Sequence, residues 1–130
     1  MPFAVRDELQ HGSTPKLVKH WICAPRHWLE FQPVAQPHTV TGIHRGEAEA
    51  LQLALHVKAA AVLIDDVDGR NAAKELGLPT VGTIGILERA AERSRVDLPT
   101  VASALKTANF FVSVEILDAA LGSDWIRKEK

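Results

Sequence analysis

RGEAEALQLALHVKAAAVLIDDVDGR, residues 45–70, decides the fold. It reads as a helix, a short turn, a buried strand and an acidic loop. Glu47 and Glu49 open the helix, where acidic side chains complement the helix dipole. Ala59 to Ile64 is apolar throughout, which suits a parallel strand buried on both faces. Asp65, Asp66 and Asp68 stand where that strand ends. In open parallel sheets, sites form beyond the carboxyl ends of the strands. Carboxylates there, joined by a glutamate from a helix, are the hard-oxygen ligands that Mg²⁺ or Mn²⁺ prefers. Two such ions can clamp the attacking and leaving oxygens of a phosphodiester displacement. An exposed Asp-rich turn with a helix-capping aspartate would have the same sequence, so the residues alone leave both readings open.

On the N-terminal side, Pro2 suits a first helical turn, with Val5 and Leu9 sharing a face and Glu8 beside it. Thr14-Pro15 starts a second short helix carrying Leu17, Val18, Trp21 and Ile22, and Pro25 stops it. Trp28 to Val34 alternates roughly and reads as an edge strand because of Pro33. On the C-terminal side, Arg70 to Leu76 is helical and stops at Gly77. Thr80 to Gly82 is a short strand, followed by helices capped by Thr83, Asp97 and Ser113, with a brief extended piece at Phe110 to Val112. Strands alternating with helices predict a layered α/β fold with a mainly parallel sheet.

The 130 residues suit a single domain over 1–130 with one core. A net charge of −1 provides no global basic field, so any nucleic-acid contact must come from a local patch. The single cysteine, Cys23, excludes an internal disulfide and reads as a buried or partly buried thiol in a reducing compartment. No apolar run is long enough for a membrane span, and the N-terminus lacks the layout of a signal peptide. A cytoplasmic protein without membrane contact is expected. The six histidines are scattered without metal-ligand spacing. Gly82 to Gly85 lacks the lysine of a phosphate-binding loop and reads as a tight turn into a helix.

PFAVRDEL (2–9), WLEFQPV (28–34), HRGEAEALQLAL (44–55), VLIDDVDGRNAAKELGL (62–78) and VGTIGILERA (81–90) occur in that order. Together they resemble the PIN-domain-like proteins, in particular a prokaryotic branch of predicted nucleic-acid-binding proteins. The resemblance implies a three-layer α/β/α sandwich and a ribonuclease-type acidic site binding Mg²⁺ or Mn²⁺. Many members are toxins of toxin–antitoxin pairs that cleave RNA and are held inactive by a small partner protein. Carried over by position, Glu8, Glu49 and Asp66 would be the catalytic metal-holding acids. Asp65 and Asp68 would be neighbouring ligands, and Arg70 and Arg45 would contact the RNA backbone. A non-catalytic binding or interaction module is the alternative.

The family pattern begins with a central strand ending in an aspartate, ahead of the segment at which this sequence starts. Against the family pattern, the given sequence starts after this strand and its acid, through a misassigned start, a shortened chain or a truncated member. An acid set short of it is expected to bind metal weakly and to cleave slowly or not at all. Exposed strand edge or apolar surface should then favour a homo-oligomer.

Overall fold

Helix α3, Arg45–Val57, is the element around which Met1–Thr80 assembles. It begins after an extended His44, whose backbone N–H donates to Glu47 Oε2 at 3.3 Å. It ends at Lys58, which takes the left-handed conformation with φ of 52°. Its apolar face packs against α1 (Phe3–Leu9), β1 (Val62–Leu63) and α4 (Val67–Glu75), and α1 also packs against α2 (Lys16–Cys23). Leu51, Ala54, Val62, Ile64 and Ala73 form the buried core of this part.

The computed structural model describes residues 1–35, 42–108, 110 and 114–129. Strand β1 pairs with β2 (Thr80–Val81) in a small parallel sheet, with α4 as the crossover between them. This is the α/β arrangement expected from the sequence. The details differ in five places. The strand predicted over Ala59 to Ile64 shortens to Val62–Leu63, and it is buried on one face only. Val62 and Ile64 meet α3 and α4, whereas Leu63 points the other way and is 61% exposed, as the pleat requires. Helix α4 starts at Val67 rather than Arg70, because Asp66 caps it by accepting from the Gly69 N–H at 2.9 Å. Its stop is the expected one: Gly77 adopts φ of 69°, and Leu78 N–H donates back to the Ala73 carbonyl at 2.8 Å.

The predicted edge strand at Trp28 to Val34 reduces to a single parallel bridge between Gln32 and Pro2. Gln32 N–H donates to the Met1 carbonyl at 3.0 Å, and Pro33, with no N–H, cannot extend the ladder. Phe31 still packs on Phe3, with ring centroids 6.3 Å apart. Cys23 is exposed rather than buried, because α2 turns only Ile22 fully inward.

Val81–Lys130 forms a second compact unit. Helices α5 (Thr83–Glu92), α6 (Leu98–Thr107) and α7 (Val114–Glu129) pack pairwise around Ile84, Leu98, Ala102, Leu117 and Ala120. Asp97 caps α6 as expected, with Oδ2 accepting from Thr100 N–H at 3.2 Å. Gly82, not Thr83, occupies the cap position of α5. Apart from Phe110, the extended piece over residues 110–112 and the Ser113 cap lie outside the described residues. Among the described residues no helix is long and apolar enough to cross a membrane.

Candidate functional site

Glu49 is the one charged side chain fully buried among the described residues, at 4% exposure. Its Oε1 accepts from Arg45 Nε at 2.8 Å, and the Arg45 side chain is itself 76% exposed. Burying a carboxylate is costly unless it is well paired. Among the described residues, the one hydrogen bond to this carboxylate comes from a largely solvated cation one helical turn earlier.

Glu8, at the end of α1, lies over the first turn of α3. A Cβ added at Gly46 would stand 2.8 Å from Glu8 Oε2 and 2.9 Å from its Cδ. Gly46 and Glu49 are three apart and share a helix face, so the Glu8 carboxylate sits on the face that carries Glu49. It has no hydrogen-bond partner among the described residues, and Glu8 is exposed.

Asp65, Asp66 and Asp68 are all exposed at the exit of β1. Asp66 uses Oδ2 on the α4 cap, which leaves Oδ1 for another ligand. Asp68 lies in the first turn of α4. Arg70 Nη2 donates to the Asp65 carbonyl at 3.0 Å, and its Nε is buried without a partner. Arg70 thus braces the strand exit from below. Glu47, read in the sequence only as a helix-opening acid, has its Cδ 3.6 Å from where a Gly69 Cβ would be. It therefore spans from the start of α3 to the start of α4. Gly46 makes room for the Glu8 carboxylate, whereas Gly69 makes room chiefly for Ile64, whose Cδ1 would stand 2.7 Å from an added Cβ. A glycine in a first helical turn costs about 1 kcal/mol against alanine, and that cost was the available sequence signal for a close approach.

Carboxylate oxygens have the donor chemistry for Mg²⁺ or Mn²⁺. The side chains do not close around an ion: among the described residues no three His, Cys, Asp or Glu groups stand together as a metal site. The structure brings Glu8 to the face of Glu49, and Asp66 to α4, without bringing all three to one point.

No curated protein and no solved structure matches the chain. One family, described as the PIN domain, matches residues 1–124. PIN domains carry nuclease-like function, contact nucleic acid and generally bind divalent metals. The match runs nearly the whole length and agrees with the mixed helices and small parallel sheet, and on both grounds the chain belongs to the PIN domain family.

Proposed function

We propose that the chain is a metal-dependent endoribonuclease in which Glu8, Glu49 and Asp66, helped by Asp65 and Asp68, hold Mg²⁺ or Mn²⁺. The observation that carries this reading is the buried Glu49 carboxylate, tied among the described residues only to an exposed arginine. Among the described residues, Glu8, Glu49 and Asp66 each keep at least one carboxylate oxygen without a hydrogen-bond partner. An ion held by these acids would supply charge neutralisation at the phosphodiester. Gly46 gives the Glu8 carboxylate its place, and Arg70 holds the strand exit from which Asp65 and Asp66 project. Arg45, mostly exposed, is free to exchange its bond to Glu49 for a phosphate of the RNA backbone.

The setting we propose is that of a prokaryotic cytoplasmic toxin restrained by an antitoxin protein, working as one functional domain over both units. The family match across 1–124 supports treating the units together. Homo-oligomerisation belongs to the same proposal, supported by Leu63 at 61% and Val67 at 68% exposure beside the acidic loop. A well-behaved monomer by light scattering at high dilution would remove that part.

A second reading, a non-catalytic nucleic-acid-binding PIN module, is favoured by one observation: among the described residues the acids do not gather as a metal site. Cleavage of a mixed pool of labelled RNAs with Mn²⁺, Mg²⁺ or EDTA separates the two. Metal-dependent cleavage supports the nuclease, and binding without cleavage under every condition supports the module.

A further inference from the structure

From Leu9 to Leu29 the sequence contains no Asp or Glu, although the whole chain has 16 of them. The same segment contains Lys16, Lys19 and Arg26 and three of the six histidines. It is thus a cationic stretch in a chain whose net charge is −1. Two of the three tryptophans fall within it as well.

The structure brings the two tryptophans together beside the cationic residues of α2. Lys16, Leu17, His20 and Trp21 are neighbours at helical spacing on α2. The turn after α2 brings Trp28 back onto Trp21, with ring centroids 6.2 Å apart and planes tilted by 47°. Trp21 is half-buried and serves as the base, while Trp28 is 65% exposed and Leu17 is 85% exposed. Arg26 and His27, just before Trp28, are exposed, as are Lys16 and His20. A large aromatic ring held by a second ring, with its remaining surface in water, carries an unfavourable exposure that folding alone does not require.

We infer that the α2 surface, with Trp28 as the stacking ring and Lys16, His20 and Arg26 around it, is a platform for single-stranded RNA. Bases stack on exposed aromatic rings whatever their sequence, while neighbouring cations follow the phosphates. Within the segment no carboxylate repels a polyanion, although Glu8 and Glu30 flank it in the sequence. A protein partner would be suited by the apolar pair, but it gives no reason for the acid-free cationic surround. The platform rests on the reading that this PIN domain acts on RNA, and it supplies that reading with a place where the strand is gripped.

The test measures binding of a fluorescent oligouridine to the full chain in EDTA, by anisotropy and tryptophan quenching, with an RNA duplex of equal length for comparison. The wild type should prefer the single strand. Trp28→Ala should weaken binding by about tenfold or more, and Trp28→Phe should restore much of it. The double variant Lys16→Gln/Arg26→Gln should flatten the dependence of log affinity on log salt by about 1.4. Thermal unfolding of each variant checks folding, which substitutions at exposed side chains leave intact. Equal binding by wild type and Trp28→Ala overturns the proposal, and so does an absence of oligonucleotide binding, which would assign the face to a protein partner. Binding that depends on Trp28 in a chain that never cleaves RNA upholds the platform and removes the nuclease. Cleavage with RNA binding indifferent to Trp28 does the reverse.

Discussion

The Glu8 carboxylate occupies the space that a side chain at Gly46 would fill, one turn before the buried Glu49. The close approach is to the far end of a flexible side chain, so an added methyl group would displace Glu8 rather than break the core. Gly46→Ala also improves helix propensity by up to about 1 kcal/mol. Thermal unfolding should therefore show stability equal to or slightly above the wild type. Metal-dependent RNA cleavage should fall by about tenfold or more, because moving a ligand costs at least as much as losing its support. A variant that is more stable and less active separates the role of Gly46 from simple packing.

Asp66 has two duties that substitution can separate. Asn caps helices about as well as Asp, whereas Ala costs about 1 kcal/mol at a cap. Asp66→Asn should unfold near the wild-type temperature, and Asp66→Ala should be destabilised by about 1 kcal/mol. Both should lose cleavage. Urea titrations measured beside RNA cleavage assays check this, and an active Asp66→Asn would leave Asp66 as a cap alone.

Glu49 and Arg45 should respond unequally to substitution. Arg45→Ala removes the one partner of a buried carboxylate and should cost about 1–3 kcal/mol. Glu49→Leu removes the buried charge itself and frees an arginine that is already solvated, so stability should be unchanged or higher, by up to about 4 kcal/mol. Metal binding should be lost in Glu49→Leu. Unfolding free energies of the two variants, compared with the wild type, give the ordering.

Lys58 ends α3 in the left-handed conformation at φ of 52°, where a side chain is strained. That strain is about 1–2 kcal/mol, and glycine relieves it while adding some entropy to the unfolded chain. Lys58→Gly should therefore stabilise the protein by up to about 1 kcal/mol without changing cleavage, which places it as a control remote from the acids.

Residues 45–70 made the helix–strand–acidic-loop order legible because helical spacing, an apolar run and three aspartates follow one another without interruption. The apolar run did not disclose that Leu63 faces outward, since a run without alternation has no periodic signal to tell one face of a strand from the other. The start of α4 was misplaced because Asp66 fits a capping aspartate and a metal ligand equally well in sequence. The capping bond to Gly69 resolved the first part only. Trp28 to Val34 has strand-like composition, yet Pro33 leaves it with one bridge. Glu47 was invisible as a link to α4 because its distance from Gly69 depends on how two helices pack, which no local pattern records. Glu8 and Glu49 are candidate site residues through family resemblance and not through spacing. Forty residues separate them in the chain, and only the packing of α1 on α3 brings them together.

Carboxylates from α1, α3 and the β1–α4 junction would together hold one divalent cation, and Mn²⁺ binding measures this. Calorimetric titration of the wild type, Glu8→Gln, Glu49→Gln and Asp66→Asn with Mn²⁺ should show a saturable site in the wild type. Each variant should bind at least about tenfold more weakly, with unfolding temperatures close to the wild type. Saturable binding that is unchanged in all three variants, or no binding in the wild type, would contradict the account.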